Sequence, residues 1–545
     1  MEEISGIKED IGKGFDAENG DNLRCGAGVE YKAEFGVAIL GYGVVGKGVA
    51  YTIRHNAGLI EKRTGIKLRL MHVLDILDFP DSPDAALITH DVTDIMRDCG
   101  VRVVVETMGG TDKAFEYTAE AFAQKKHVVT SNKELVAERG PELLALAACN
   151  GVSYRFDASV GGGIPAIVPI GEYLAANKIE EITGILNGTT NYMLTHMRAY
   201  GGNFAETLRM AQENGYAEKK PEADIDGSDA CRKLSILSSI AWDAFLDWKT
   251  VHTEGIANVI LEDIMRASDF GCVLKLIARA RLLADGKLEA YILPAMIDRH
   301  SPLANVEGVN NAILIRGDLT GDIMLYGQGA GMLPTGSAVV SDIIFTARES
   351  IGYPGGTRPQ GDTQNAGALP ESACAQSGIS DPGAQRINVK PTSGKSLSNP
   401  LWDRELALET VDFSTYIHNY YVRIETPAPD AYRDILFREF PNARILPQYG
   451  ADFETPAPGN NGDTGGETGG SAVGNNANIV AGADAATHPC APMCIFTVPS
   501  LSEGEFATKL ACVNKRVAGS ATGFIARIFK THMAENCNRS ITKGT

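Results

Sequence analysis

The sequence predicts an α/β protein of three parts: a doubly wound nucleotide-type domain, an α+β domain, and a small α/β module at the C-terminal end. Three observations carry this. Apolar β-type runs alternate with helical patterns from residue 34 onward, as a parallel sheet covered by helices requires. The first of these runs leads directly into a glycine-rich turn and a helix. Two Gly-rich segments poor in periodicity then separate the body from a last strand–helix–strand–strand–helix pattern.

The elements follow in order. Residues 1–33 carry little apolar pattern and read as an acidic flexible extension. Phe35–Leu40 is the first strand, and Gly41-Tyr-Gly43-Val44-Val45-Gly46 opens a helix to about His55. Gly41 permits the tight turn, Gly43 lets backbone approach a pyrophosphate, and Gly46 allows close packing of helix on strand. The helix start offers free N–H groups and a partial positive charge to phosphates. A dinucleotide-binding, Rossmann-type domain over 34–164 is therefore expected, completed by 329–350. Lys67–Asp75, Val101–Glu106, His127–Ser131 and Ser153–Ala158 are its further strands. Ligands lie at the carboxyl ends of such strands, which nominates Thr107 and Lys133, with Asp75 placed to accept from a ribose hydroxyl. The cofactor is NADP or NAD. Asp75 favours NAD.

Residues 165–328 form the second domain. Its informative stretch is Ala211–Lys233. Ser228 reads as a helix N-cap, Asp229 falls in the first turn, and Lys233 is its i+4 neighbour on one face. Leu234, Leu237 and Ala241 supply the buried stripe. Glu218 and Asp224 converge from the Gly/Pro-shaped loop before that helix. Several acids and two lysines, Lys133 and Lys233, near a nicotinamide suit a substrate bearing both an ammonium group and a carbonyl.

These residues resemble the homoserine dehydrogenase signature at Ala211, Gly215, Tyr216, Ala217, Pro221, Asp224, Ile225, Gly227, Asp229 and Lys233. The resemblance runs through about 35–350. It also covers Val129–Lys133, Asp157–Pro165, Asn187–Asn191 and Tyr326–Ala338. It implies reversible reduction of L-aspartate 4-semialdehyde to L-homoserine. In that reading Glu218 and Asp224 hold the substrate ammonium, and Gly188 and Thr189 contact substrate. Lys133 and Lys233 flank the carbonyl, Asp229 orients Lys233, and Gly329 lies near the cofactor. The resemblance further implies a monovalent cation, Na⁺ or K⁺, at Asp157, Val160, Gly162 and Ile164, and a homodimer or dimer of dimers. Residues 351–412 read as a Gly/Pro-rich linker, with a flexible stretch at 353–385. The segment 413–535, interrupted by a low-complexity insertion at 452–489, resembles the ligand-binding ACT module found in many members.

Composition narrows the class. The 545 residues carry a formal net charge of −18, and the segments 1–22 and 452–489 contribute −5 each. More than half of the charge thus sits in the expected flexible parts, and an acidic chain does not suit nucleic acid or anionic membranes. No apolar run approaches a membrane span, and the acidic start is no signal peptide; a cytoplasmic enzyme acting on a small molecule is the expected class. Ten scattered cysteines do not form a disulfide framework. His488, Cys490 and Cys494 lack a zinc spacing, and Cys231 reads as packing. Two rivals remain: another amino-acid-linked nicotinamide oxidoreductase, and a catalytically silent nucleotide- or amino-acid-sensing protein.

Overall fold

The computed structural model describes residues 33–351, 403–426, 428–446, 493–517 and 521–529. The expected extension up to residue 32, the stretches 353–385 and 452–489, and the His488–Cys490 segment lie outside the described residues.

The first domain builds a six-stranded sheet from β1 (Ala33–Leu40), β2 (Ile66–Leu74), β3 (Ile88–Thr89), β4 (Val101–Glu106), β5 (His127–Thr130) and β6 (Tyr154–Arg155), in the order 3-2-1-4-5-6. Every pairing is parallel, as the doubly wound arrangement demands. Helices α1 (Val44–His55), α2 (Ala57–Thr64), α3 (Val92–Arg97), α4 (Asp112–Ala123) and α5 (Lys133–Asn150) cover it. The central strands are buried on both faces, which is why Val37–Leu40 and Val103–Val105 read as unbroken apolar runs.

The second domain contains β7 (Ile179–Ile185), α6 (Gly188–Tyr200), α7 (Phe204–Glu213), α8 (Glu222–Ile225), α9 (Ser228–Ala241), β8 (Ala244–Phe245), β9 (His252–Thr253), α10 (Leu261–Asp269), and the strands β10 (Cys272–Leu282), β11 (Leu288–Asp298), β12 (Asn310–Gly317) and β13 (Gly321–Gln328). The stripe of α9 buries Leu234 and Leu237 in the core shared with β7 and β10, with Ile240 in place of Ala241, which is only partly buried at the helix end. The chain then returns to the first domain through α11 (Met332–Ser350), whose Val339, Val340, Ile343 and Ala347 join the core beside β1. A Cβ on Gly48 of α1 would meet the Met332 carbonyl oxygen at 2.0 Å, so α1 and α11 touch backbone to backbone there.

Two features differ from expectation. Residues Asp403–Ala407, within the stretch read as linker, form β14, which pairs with β8. The C-terminal module, β15 (Ile417–Glu425), α12 (Pro429–Glu439), β16 (Arg444–Leu446), β17 (Met493–Ser502), α13 (Glu503–Arg516) and β18 (Ala521–Phe529), has no separate sheet. Its last strand, absent from the expected elements, pairs in parallel with β11, so the order runs β13-β12-β7-β10-β11-β18-β15-β17-β16. Arg423 and Tyr421 of the module both bond the fully buried Asp263 of α10. Arg527 bridges Glu254 and Glu503. Among the described residues no helix is long and apolar enough to cross a membrane.

Candidate active site

The turn after β1 is shaped by its glycines. Gly41 takes φ +94°, in the left-handed region, while its N–H bonds the Leu74 carbonyl at 2.8 Å and its carbonyl accepts the Thr107 hydroxyl at 2.8 Å. A Cβ on Gly46 would strike the Gly41 carbonyl oxygen at 2.0 Å. Gly43 is different: a Cβ there would have no protein atom within 4 Å. The protein therefore leaves room over Gly43, at a helix start with no side-chain cap and with Val44 exposed. Uncapped N–H groups beside open backbone are what a pyrophosphate needs, so the residues present fit a dinucleotide. Asp75 lies just past β2, where its carboxylate accepts the Tyr42 N–H at 2.7 Å and the Leu77 N–H at 3.0 Å.

The reacting residues meet where α5, α6 and α9 begin. Lys133 is the first residue of α5, capped by Asn132, whose side chain accepts the Leu135 N–H. Asp229 and Lys233 lie one turn apart on α9. The expected cap, Ser228, is instead the first helical residue. Gly227 at φ +87° occupies the cap position, and Asp226 accepts the Ser228 N–H at 2.8 Å, forming the turn that Ser228 was expected to make. The Asp229–Lys233 register is unaffected. One Asp229 oxygen meets the Lys133 ammonium at 3.1 Å and the other meets that of Lys233 at 2.8 Å. Lys233 also donates to the Leu186 carbonyl at 2.8 Å.

Asp229 is 3% exposed. Burial alone would raise its pKa, but the two ammonium groups outweigh burial and hold it well below the usual carboxylate range. The same attraction raises Lys133 against its own desolvation. Asp224 goes the other way, raised by burial and then by the negative charge of Asp229. One cluster thus holds a fixed anion, two cations and a carboxylate that ionises less readily.

Asn187 was not among the expected site residues, yet it ties the cluster together. Its amide donates to Asp224 at 2.7 Å and to Asp229 at 2.8 Å, while its oxygen accepts the Thr190 N–H and caps α6. An Asn just before Gly-Thr-Thr is an N-cap signal, so its place could be read from sequence though its partners could not. Gly188 and Thr189 open α6, and the Thr189 hydroxyl donates to the Tyr216 carbonyl at 2.8 Å. Glu218 stands apart. It is exposed on the loop after α7, and its carboxylate bonds to none of these groups.

The Asp157–Ile164 loop lies against Gly329, since a Cβ on Gly162 would meet the Gly329 carbonyl oxygen at 2.5 Å. Gly329 in turn lies under Asn311, where a Cβ would come within 2.0 Å of its amide nitrogen. The Asp157 carboxylate accepts the Ile167 N–H at 2.7 Å and the Ala166 N–H at 3.3 Å, and the Asp157 N–H donates to Asp342. This engages the carboxylate in holding the chain, and leaves peptide carbonyls as the donors that suit a monovalent cation. Asp342, fully buried and facing Asp157, is raised far above the usual carboxylate range by desolvation and by that neighbour.

A family model of the homoserine dehydrogenase NAD-binding domain matches residues 41–157, and a homoserine dehydrogenase model matches 165–344. The homoserine dehydrogenase of Neisseria gonorrhoeae is 41% identical over 315 residues, covering 57% of this chain and 72% of that protein. The chain belongs to the homoserine dehydrogenase family. The Bacillus subtilis enzyme is 38% identical over 313 residues, with 56% and 72% covered. The crystal structure of the Thiobacillus denitrificans homoserine dehydrogenase superposes with a TM-score of 0.68 at 28% identity, over 92% of this chain and 99% of that one.

The protein is thus an NAD(P)-dependent oxidoreductase that interconverts L-aspartate 4-semialdehyde and L-homoserine, a step of threonine and methionine biosynthesis. The rival chemistry of a semialdehyde-forming dehydrogenase needs a thiolate nucleophile. Cys231 beside the cluster is buried, donates to the Trp248 carbonyl, and is pushed up to about 11 by burial; it packs, as expected.

Proposed function

We propose that Lys233 and Lys133 are the residues that act on the aldehyde oxygen, and that Asp229 holds both in place. The observation that carries this is the single buried carboxylate with one ammonium on each oxygen. When bound, the dihydronicotinamide supplies the hydride. Gly41, Gly43, Val44, Val45, Gly46, Asp75, Thr107, Lys133 and Gly329 would hold the cofactor. Charge builds on the aldehyde oxygen as the bond to hydrogen forms, and an ammonium facing it stabilises that charge in a site with little water. One lysine gives up a proton to the oxygen and regains it from solvent in turnover. Asp224 takes the substrate ammonium, since burial and the charge of Asp229 outweigh the pull of Lys233 on it and a further cation offsets both. Glu218 closes on that ammonium from its loop, and Gly188 and Thr189 meet the rest of the substrate at the start of α6.

The finer assignments belong to the same proposal. Asp75 favours NAD over NADP, because a 2′-phosphate would face its negative charge. The carbonyls of Asp157, Val160, Gly162 and Ile164 hold Na⁺ or K⁺. The enzyme works in the cytoplasm as a homodimer or dimer of dimers, and the C-terminal module is ACT-like. Initial rates with NADH and NADPH side by side, with and without added K⁺ or threonine, test these points.

The roles are tested by two variants. Lys233→Ala is expected to collapse kcat with a modest loss of cofactor affinity; unchanged turnover removes the role. Glu218→Ala is expected to raise the KM for semialdehyde about ten-fold with kcat little changed, the pattern of lost uniform binding.

A further inference from the structure

At the carboxyl end of β4, beneath the loop proposed to line the cofactor, lies a carboxylate that the mechanism above does not use. Glu106 is fully buried. Its side chain accepts from the Thr130 hydroxyl at 2.6 Å, from the Met108 N–H at 2.8 Å, and more weakly from the Asn132 amide at 3.5 Å. All three donors are neutral. They come from the loop after β4, from the end of β5, and from the cap of α5. Asn132 extends the network, donating to the Gly110 carbonyl at 2.7 Å while accepting the Leu135 N–H that starts α5. Lys133 is the next residue.

We propose that Glu106 is a positioning residue for the reaction. Through Asn132 it locks the head of α5, and with it Lys133, to the loop Thr107–Gly110. The inference rests on the role given to Lys133 above. Its chemistry is plain. Burying an unpaired carboxylate is costly, and an apolar residue would fill the space more cheaply. An anion here accepts from three segments at once with charge-assisted bonds, whereas a neutral side chain must reverse the Thr130 bond and donate to a hydroxyl that already accepts the Asn132 N–H at 2.9 Å. The arrangement spends fold stability on fixing the loop after β4 against the head of α5.

The ionised form is the one that accepts all three bonds. Burial, partly offset by the bonds from Thr130, Met108 and Asn132, pushes its pKa up to about 7. Of the titratable groups on the surrounding elements, Tyr154 on β6 feels its charge. Lys133 on α5 turns to Asp229, and Asp75 beyond β2 turns to the Tyr42 amide. Protonation below that pH removes the charge from all three bonds and turns the Thr130 hydroxyl from donor to acceptor, so the ties weaken. Activity that depends on the lock therefore rises as pH increases through about 7.

The test is Glu106→Gln, which keeps the shape, removes the charge from the bonds to Met108 and Asn132, and forces the Thr130 hydroxyl to accept. Kcat of the full chain is expected to fall ten- to hundred-fold, as a small misplacement of a reacting group does. The KM for semialdehyde should change less than about three-fold. The variant should also lose the rise in kcat near neutral pH and stay flat at the low-pH rate. Wild-type kcat in the variant, or a lowered rate that keeps the rise near neutrality, overturns the proposal. Asn132→Ser serves if the Gln variant does not fold, since serine still caps α5 but cannot reach Glu106 and Gly110 together. It should lower kcat about ten-fold at a nearly unchanged melting temperature, and unchanged kcat and cofactor KM would overturn the lock. Lys133→Ala separates the two readings. Full turnover in that variant overturns the role of Lys133 and the lock with it, whereas its collapse beside an active Glu106→Gln overturns the lock alone.

Discussion

Replacing Asp229 by Asn tests the centre of the site with almost no change in shape. The carboxylate holds one ammonium at 3.1 Å and another at 2.8 Å. Without its charge, the two ammonium groups that it holds, one on each oxygen, face each other unscreened. Each also loses an attraction of about 4 kcal/mol before screening. The Lys133 side chain is 36% exposed, so solvent weakens its share. A net change of about 2 kcal/mol at Lys133 corresponds to roughly 1.5 pK units. The sign is fixed: Asp229 raises the pKa of Lys133, so its loss lets that lysine shed its proton at lower pH. The alkaline limb of kcat/KM should move down by about 1–2 pH units, and kcat should fall about 10²–10³-fold as both ammonium groups lose their fixed position. Rates followed by nicotinamide absorbance from about pH 6 to 10 measure both effects. A variant with kcat within about three-fold of the parent and an unmoved alkaline limb would refute the bridging role.

Two further outcomes follow from the geometry. Gly43→Ala should leave the melting temperature unchanged, because a Cβ there meets no protein atom within 4 Å, yet raise the cofactor KM at least about ten-fold by filling the space for the pyrophosphate; a normal cofactor KM would show that the phosphates lie elsewhere. Arg423→Met should strip the fully buried Asp263 of its cationic partner and cost about 3–5 kcal/mol, read as a lower denaturation midpoint for the C-terminal module.

How much of this was legible in the sequence depends on the distance over which each rule acts. The glycine turn and the Asp229–Lys233 pair are local, one set by backbone sterics and the other by the pitch of a helix, and both are found where the sequence puts them. Ser228 shows how close competitors defeat a local rule: Asp226 and Gly227 shape the turn that serine would have capped. The partners of Asn187 and Glu106 were out of reach for a different reason. Asn187 owes its place to carboxylates 37 and 42 residues away, and Glu106 to a hydroxyl 24 residues on. No periodicity records such pairings. The roles of Glu218 and of the Asp157 loop came from resemblance, and the structure leaves the Glu218 carboxylate outside the cluster. The strand β18 escaped notice because its partner β11 lies more than two hundred residues earlier, and nothing between them announces the pairing.

The seam between β11 and β18 has a practical bearing. Ala295, Met296 and Ile297 face Arg527, Ile528 and Phe529 across it, and Glu254 beside it is paired with Arg527. Cutting the chain after residue 350 would bare the Ala295–Ile297 edge of β11, leave the buried Asp263 without Arg423 and the half-buried Glu254 without Arg527, inviting chains to pair along that edge. The tail is welded to the catalytic body by a shared lamina, so a swap between relatives succeeds by matching edge register rather than by adjusting tether length.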